Sequence, residues 1–383
     1  MMSFARSPSR PHRAVLWIAL LLVTGCTAET PTATQDELQP VVREVVDPRI
    51  DAFLEQMVDE EHFSGVVYVA TQGRPVHARA YGLASAGTPN TLDTAFHVAS
   101  VSKQFTAAAV MQLVEAGTVE LGESINRYLP ERYRTETWES VAVHHLLSHS
   151  SGIADYAVTR DYYEVVDGFC LGDTVDGMIR EAMAKELEFA PGSRYRYSNI
   201  GFTLLGEIIA NSTGTPYAQY LEERILAPMG MMASRVHVEG HVPREKEAAG
   251  HRWDEASGKH VKDDVVSLPV TAPDGGLVTT LDDFLKWVRL YDGDTTMLSQ
   301  ASIDAMTTKQ VSKGRGGEID AYGYGLDVGD RLIGHSGYIV GFRSRFDYAR
   351  ENETLVIVFT NNTTNSPERI SGGLLTILFS PAS

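Results

Sequence analysis

The sequence of 383 residues contains only two cysteines, Cys26 and Cys170. Cys26 ends an N-terminal apolar stretch, so one cysteine is left for the folded body. A single cysteine cannot form an intramolecular disulfide, and the fold must therefore depend on its apolar core. Because no catalytic signature surrounds Cys170, we interpret it as a small buried hydrophobic residue.

The sequence also lacks an excess of basic residues. It has 33 Lys and Arg against 50 Asp and Glu, which gives a formal net charge of −17. Proteins that bind nucleic acid need clustered Lys and Arg to meet the phosphates. The charge therefore argues against nucleic acid as a partner, and no repeat or long low-complexity tract is visible.

Long hydrophobic runs are missing as well. The apolar stretch from Ala14 to Val23 is too short to cross a membrane comfortably and has the length of a signal-peptide core. Three arginines precede it, and it runs into Val23-Thr24-Gly25-Cys26. This ending resembles the lipobox of bacterial lipoproteins, in which the cysteine becomes the lipid-modified N-terminus. A plain secretory signal with an incidental cysteine is the alternative.

These features predict three segments. Residues 1–25 are a lipoprotein signal peptide, residues 26–46 are a flexible tether rich in Thr, Pro, Gln, Glu and Asp, and residues 47–383 are the folded body. We therefore expect an exported protein that is lipid-anchored to a bacterial membrane, on its periplasmic or outer face.

The hydrophobic pattern of the body places strands at both ends and helices between them. We expect the N-terminal helix and hairpin to join the C-terminal strands in one antiparallel sheet. The middle of the chain then forms a helical lobe, with a cleft between the two parts. The expected elements are a helix over 50–58, strands over 66–70 and 76–81, strands over 322–328, 331–334, 338–348 and 354–361, and a helix over 370–379.

Ser100 and Lys103 form an S-x-x-K motif at the start of an apolar segment. Residues 103–115 are apolar almost all round, which predicts a buried helix with Ser100 on its first turn. Side chains three apart lie on one face of a helix, and a serine nucleophile needs a nearby base. A buried lysine can be that base when burial keeps its amine neutral. Alone the motif is weak, because an N-cap serine and a solvated lysine produce it by chance.

A second motif is Tyr197-Ser198-Asn199, on an extended segment that leads into an apolar helix. Residues two apart in an extended chain point to the same side. A phenol beside a lysine can relay a proton, and an amide can hold both the lysine and a substrate carbonyl. A core tyrosine followed by an N-capping asparagine is the structural alternative.

The third motif is His335-Ser336-Gly337 on a predicted strand. A hydroxyl and a glycine there suit a substrate that lies antiparallel along the strand. An exposed strand histidine is the alternative.

Together the three motifs resemble the serine β-lactamase and penicillin-binding protein superfamily. The branch they resemble most contains class C β-lactamases, D-Ala-D-Ala carboxypeptidases, D-aminopeptidases and related esterases. The order matches: S-x-x-K near the start, Y-x-N in the middle and K/H-[ST]-G near the end. The resemblance covers about residues 47–380, with further matches at 145–153, 227–231 and 275–277. It implies an α/β (α+β) fold of the β-lactamase/DD-peptidase type, whose antiparallel sheet is flanked by helices and faces an all-helical lobe across the active-site cleft.

The resemblance implies a serine hydrolase that works through an acyl-enzyme. Ser100 would be the acylated nucleophile and Lys103 its base partner. Tyr197 would relay a proton to the leaving group and activate the deacylating water, while Asn199 would orient Lys103 and the substrate. The substrate would be a small-molecule or peptide acyl donor, and no cofactor is implied.

On the same grounds, His335, Ser336 and Gly337 would line the substrate strand, and the backbone N–H groups of Ser100 and Tyr338 would form the oxyanion hole. True class C β-lactamases carry lysine where this chain has His335. Since histidine is mostly neutral near pH 7, the charge that would bind a β-lactam carboxylate is weakened. This favours an ester, amide or D-amino-acid peptide as substrate. A genuine β-lactamase, a D-Ala-D-Ala carboxypeptidase and a catalytically silent binding protein are the alternatives.

His144, His145 and His149 raise the question of a metal. His145 and His149 are four apart, as in H-E-x-x-H zinc helices. Leu146 stands where that motif needs glutamate, and a third ligand is not evident. We therefore expect no metal site.

Overall fold

The structure is a computed structural model that describes residues 47–155, 165–166, 169–170, 174–238, 240–263, 272–314 and 316–380. The predicted signal peptide and tether, with Cys26, lie outside the described residues. Among the helices that are described, none is both long enough and apolar enough to cross a membrane.

Helices occupy the three stretches for which the sequence predicts bounds, 50–58, 103–115 and 370–379. The helices are α1 Pro48–Glu61, α2 Lys103–Glu115, α3 Val143–Leu147, α4 Val175–Met183, α5 Asn199–Thr213, α6 Tyr217–Leu221, α7 Ala272–Gly275, α8 Leu281–Val288, α9 Gln300–Thr307 and α10 Pro367–Phe379. Short 3-10 turns lie at Ala99–Ser102, Ile125–Arg127, Glu131–Tyr133, Glu136–Trp138, Arg289–Asp292 and Arg350–Asn352, and a π turn lies at Glu222–Leu226.

Strands occur mainly near the two ends of the body. The strands are β1 Gly65–Thr71, β2 Arg74–Tyr81, β3 Leu83–Ser85, β4 Thr88–Pro89, β5 Phe96–His97, β6 Val165–Val166, β7 Phe169–Cys170, β8 Arg235–Val236, β9 His251–Asp254, β10 Lys259–Lys262, β11 Leu277–Thr279, β12 Val311–Ser312, β13 Ala321–Tyr322, β14 Asp327–Val328, β15 Ile333–Ile339, β16 Phe342–Ala349 and β17 Thr354–Thr360.

The largest sheet is antiparallel and has eight strands in the order β12-β13-β14-β15-β16-β17-β1-β2. Strand β1 pairs with β17, so that Gly65 lies opposite Thr360. Strand β17 is buried along its whole length, which is why its sequence is a continuous apolar run. The prediction that the two ends of the body share one sheet is confirmed.

The two faces of this sheet pack against different helices. Val356 and Val358 of β17 face a smaller apolar cluster that includes residues of α1 and α10. Ile357 and Phe359, which alternate with them, face the larger core that contains α2 and α5. The alternation follows from the two-residue period of a strand. As a result, the sheet lies between a helix pair on one side and the helical part of the molecule on the other.

Two predicted strands are broken by glycine turns. The strand predicted over 338–348 is two strands, β15 and β16, because Gly341 adopts φ +86° between them. The strand predicted over 322–328 is interrupted at Gly325, where φ is +74°. A Cβ on Gly325 would lie 2.7 Å from the carbonyl oxygen of Lys103, so only glycine fits there. The first turn lets the chain reverse within the sheet, and the second brings the sheet against the start of α2.

Candidate active site

Ser100 lies in the 3-10 turn Ala99–Ser102, directly before α2. The expectation that it belongs to the first turn of the α-helix is wrong, because the α-helix begins only at Lys103. Side chains three apart eclipse each other in a 3-10 turn, so Ser100 and Lys103 still meet. Ala99 adopts φ +47°, a conformation that a residue with a Cβ rarely takes. The Ser102 hydroxyl stabilises this turn, since it donates to the Ala99 carbonyl at 2.6 Å and accepts from the Leu277 N–H at 2.9 Å.

Lys103 is completely buried beside Ser100. Its Nζ lies 3.0 Å from Ser100 Oγ, 2.8 Å from Asn199 Oδ1 and 2.7 Å from the carbonyl oxygen of Asp274. Burial lowers the pKa of Lys103 to about 8, although the carboxylates of Asp274 and Asp155 oppose the shift. Near neutral pH a useful fraction of this amine is therefore unprotonated and can accept a proton from the serine.

Tyr197 and Asn199 reach the same point from the start of α5. Ser198 is the N-cap of that helix and accepts from the Gly201 N–H, which leaves the Asn199 side chain free to bind Lys103. Lys103 Nζ lies 5.0 Å from the centre of the Tyr197 ring, and the Tyr197 hydroxyl hydrogen-bonds to Ser100. Burial raises the pKa of Tyr197 well above its usual value, more than the bond to Ser100 lowers it. Tyr197 therefore keeps its proton at neutral pH.

Two buried residues position this segment: Asp155, which the sequence analysis did not name, and His149, which it considered only as a metal ligand. Asp155 accepts from the Ile200 N–H at 3.0 Å and from Asn199 Nδ2 at 3.4 Å. His149 Nδ1 accepts from the Ser198 N–H at 3.2 Å, and its ring lies 4.2 Å from the Tyr197 ring. His149 belongs to the stretch 145–153 that matched the family, but its role depends on contacts with residues about fifty positions away.

Gly337 lets β15 lie directly against the serine turn. A Cβ at this position would be 2.3 Å from the carbonyl oxygen of Val98 and 3.1 Å from Ala99 Cβ. The Ser344 hydroxyl of β16 donates to the same Val98 carbonyl at 2.7 Å. Beyond Gly337, Tyr338 is 51% exposed. The segment of β15 predicted to bind substrate thus lies beside the turn that carries Ser100.

His335 is buried, and both of its ring nitrogens are engaged. Nδ1 lies 2.5 Å from the Ser336 carbonyl oxygen and must donate to it, so Nε2 accepts from the Tyr322 hydroxyl at 2.9 Å. Burial lowers the pKa of His335 to about 4, despite the nearby carboxylate of Asp327. The imidazole is therefore neutral at pH 7, and its one N–H is used by the backbone rather than offered to a substrate.

Two further cations near His335 are paired with carboxylates. Lys313 forms an ion pair with Asp327, and its Nζ lies 5.7 Å from the centre of the Tyr322 ring. Arg345 forms an ion pair with Asp347 and lies 3.6 Å from Asp327. The sequence analysis did not single out these residues, since nothing in their local pattern distinguishes them from surface charges.

The geometry supplies the parts of an acyl-transfer site. A serine hydroxyl contacts a buried amine of lowered pKa, a protonated phenol also bonds to the serine, and a strand passes beside them. Ser100, Lys103, Tyr197, Asn199 and the strand residues 335–338 are thus brought together.

Comparison with known proteins shows which family the chain resembles. The family model described as Beta-lactamase matches residues 50–378. Esterase EstB of Burkholderia gladioli is 35% identical over 195 residues, which are 48% of this chain and 50% of that protein. A D-aminopeptidase of Brucella anthropi is 31% identical over 312 residues, which are 77% of this chain and 55% of that D-aminopeptidase. This chain thus spans about half the length of these two relatives. The structure of a D-amino acid amidase from Ochrobactrum anthropi SV3 covers 87% of this chain, and the match covers 97% of the amidase, with 27% identity and a TM-score of 0.73.

Proposed function

The chain belongs to the Beta-lactamase family, and on that premise we propose that it is a serine hydrolase acting through an acyl-enzyme at Ser100. The observation that carries the proposal is the 3.0 Å contact between Ser100 Oγ and the amine of Lys103, a side chain that is completely buried. Burial keeps the pKa of this lysine near 8, so it can act as a base rather than as a permanent cation.

In the proposed reaction, the neutral Lys103 amine accepts the Ser100 proton while Oγ bonds to the substrate carbonyl carbon. The backbone N–H groups of Ser100 and Tyr338 stabilise the resulting oxyanion. Tyr197 donates its phenolic proton to the leaving group and takes up the proton that Lys103 accepted from Ser100, while the leaving group departs as the carbonyl re-forms and leaves the acyl-enzyme. A water then gives a proton to the Tyr197 and Lys103 pair as its oxygen bonds to the acyl carbon. Ser100 Oγ leaves with that proton, which releases the acid and restores the free enzyme. Asn199 holds Lys103 in place through the 2.8 Å contact.

We propose small esters and amides, among them D-amino-acid amides and peptides, as the substrates. Two lines of support meet here. The relatives are named an esterase, a D-aminopeptidase and a D-amino acid amidase. His335 is neutral and gives its N–H to the backbone, so it contributes no charge for a substrate carboxylate. β-Lactams and D-Ala-D-Ala peptides carry such a carboxylate and lose this attraction.

We expect a short-chain p-nitrophenyl ester to be hydrolysed faster than nitrocefin by the purified protein. A charge-assisted hydrogen bond is roughly twice as strong as a neutral one, and its absence costs the lactam about 5- to 30-fold in kcat/KM. A panel of esters, D-alanyl amides, D-alanyl-D-alanine peptides and nitrocefin measures the order. His335→Lys should shift the ratio toward the lactam, with Asp327 as a counter-charge. Cephalosporin turnover above that of the esters would show that His335 does not set the substrate class.

We propose that the protein is exported and lipid-anchored through Cys26. The support is the sequence Val23-Thr24-Gly25-Cys26, which closes a short apolar stretch preceded by arginines. We expect radiolabelled palmitate to be incorporated into the native protein and to disappear in Cys26→Ser, which should leave the membrane fraction. Membrane association that survives Cys26→Ser, or a mature N-terminus downstream of residue 26, would contradict the anchor.

A further inference from the structure

Three histidines that take no part in the proposed reaction, His97, His237 and His241, lie close together. His97 is on β5, and His237 and His241 lie just after β8. One ring nitrogen of each lies within 4.8 Å of the others. The rings of His237 and His241 stack with centres 4.1 Å apart, and the centre of His97 is 5.1 Å from that of His237. Such a convergence of imidazoles is an arrangement that binds transition metals.

These imidazoles are in the charge state that a metal requires. The side chains of His97 and His241 are only 12% and 7% exposed. Burial lowers the pKa of both to about 4, and that of His237 to about 3. Each ring is therefore neutral at pH 7 and has a lone pair. Within the described part of the chain, Nδ1 of His237 is buried and has no hydrogen-bond partner.

Glu247 holds two of the rings from outside the cluster. Its Oε1 lies 3.1 Å from His97 Nε2 and 2.7 Å from His241 Nε2. Arg235 forms an ion pair with the same carboxylate, so the charges of Arg235 and Glu247 balance. A carboxylate that accepts the N–H of a ligating histidine orients the ring and makes it a better ligand.

We propose that His97, His237 and His241 form a site for a divalent transition-metal ion of the zinc class, with Glu247 orienting two of the rings. Three neutral imidazoles suit Zn²⁺ or Co²⁺ and are poor ligands for Mg²⁺ and Ca²⁺, which prefer oxygen. Because Zn–N bonds are about 2.0–2.1 Å long, ligand nitrogens around a tetrahedral ion lie roughly 3.3–3.4 Å apart. The three ring nitrogens lie within 4.8 Å of one another, so binding requires them to approach by up to about 1.5 Å.

The position of the site indicates a structural role. His97 lies three residues before Ser100, and its strand pairs with β11, where Val278 is opposite His97. The His237 N–H donates to the Gly276 carbonyl at 2.6 Å, two residues after the Asp274 carbonyl that binds Lys103. A bound ion would therefore join the segment that carries the nucleophile to the segment that holds its base. The ion would stabilise the site without contacting the substrate.

The test uses the intact protein, stripped of metal with a chelator and then titrated with Co²⁺ and Zn²⁺. We expect visible absorption bands with Co²⁺ that Zn²⁺ abolishes by competition. With Zn²⁺ at about 100 times its Kd, the Tm should rise by about 3–5 °C, while Mg²⁺ leaves it unchanged. Neither readout depends on hydrolysis, so the result is independent of whether the proposed reaction is correct.

The variants separate a metal site from a structural histidine cluster. His237→Ala removes a ring whose Nδ1 has no partner, and it should fold yet lose metal affinity by at least about 100-fold. Glu247→Gln should weaken binding by about 10- to 100-fold. His144→Ala, outside the cluster, is the matched control and should bind like the unmodified protein. No cobalt spectrum and no Tm shift in the folded unmodified protein, or equal affinity in His237→Ala, would overturn the proposal.

Discussion

Ser100→Ala is expected to remove covalent labelling by serine-reactive probes and to lower kcat by at least about 10⁴-fold, the scale seen when a nucleophile is deleted. The reason is that Lys103 then has no hydroxyl to deprotonate, so no acyl-enzyme can form at this position. A fluorophosphonate and a fluorescent penicillin, with the adduct mapped by mass spectrometry, provide the measurement.

The same variant should remain folded. After the substitution, Lys103 keeps its bonds to Asn199 Oδ1 and to the Asp274 carbonyl, so no buried charge is left alone. We expect stability to change by about 1 kcal/mol, the usual contribution of one hydrogen bond. Ser85→Ala, on β3, is the control and should label and react like the unmodified protein. An adduct on another serine, or undiminished labelling of Ser100→Ala, would be incompatible with this mechanism.

Lys103→Met and Tyr197→Phe should each lower kcat by about 10²-fold or more, the common scale of general acid–base catalysis. Both side chains contact Ser100, and groups that act as one unit are not additive when removed. The double variant should therefore be only slightly slower than the slower of the two single variants. Methionine fills nearly the volume of lysine, so the packing around the buried position 103 is preserved.

The pH dependence distinguishes the two roles. Lys103 must lose its proton to act as a base, so kcat/KM should rise with pH and level off above an apparent pKa of about 8. Lys103→Met should lose this rise. Tyr197→Phe should keep it at a lower rate, because the pKa of Tyr197 is raised well above its usual value and the phenol does not titrate in this range. Fully additive losses in the double variant, or a rise with pH that persists in Lys103→Met, would contradict a shared proton-transfer unit.

The local pattern of apolar and polar residues was sufficient to predict much of the secondary structure. The hairpin of β1 and β2 and the helix α2 lie where the alternating and continuous apolar runs place them. These elements bury one face or their whole surface, so the pattern of apolar residues in the sequence shows which positions are buried. Two predicted strands are wrong at glycines. Gly325 and Gly341 form left-handed turns within the predicted strands, and a glycine inside a strand pattern does not by itself show whether the strand continues or turns.

The three motifs also predicted which side chains would come together. Ser100 and Lys103 are only three residues apart, and a turn of either helical type brings them into contact. That Tyr197, Asn199 and the β15 residues lie beside them could be predicted only from the family resemblance, which rests on the order of the motifs. Spacing alone could not have joined segments about a hundred and more than two hundred residues apart.

The sequence by itself determined the main helices and strands at the two ends of the body, their sharing of one sheet, and the family to which the chain belongs. Tertiary structure alone decided the chemical state of the site. The pKa of Lys103, the neutral and occupied imidazole of His335, and the meeting of His97 with His237 and His241 all depend on burial by distant segments. Desolvation and Coulomb interactions act through space rather than along the chain, so no local pattern records them.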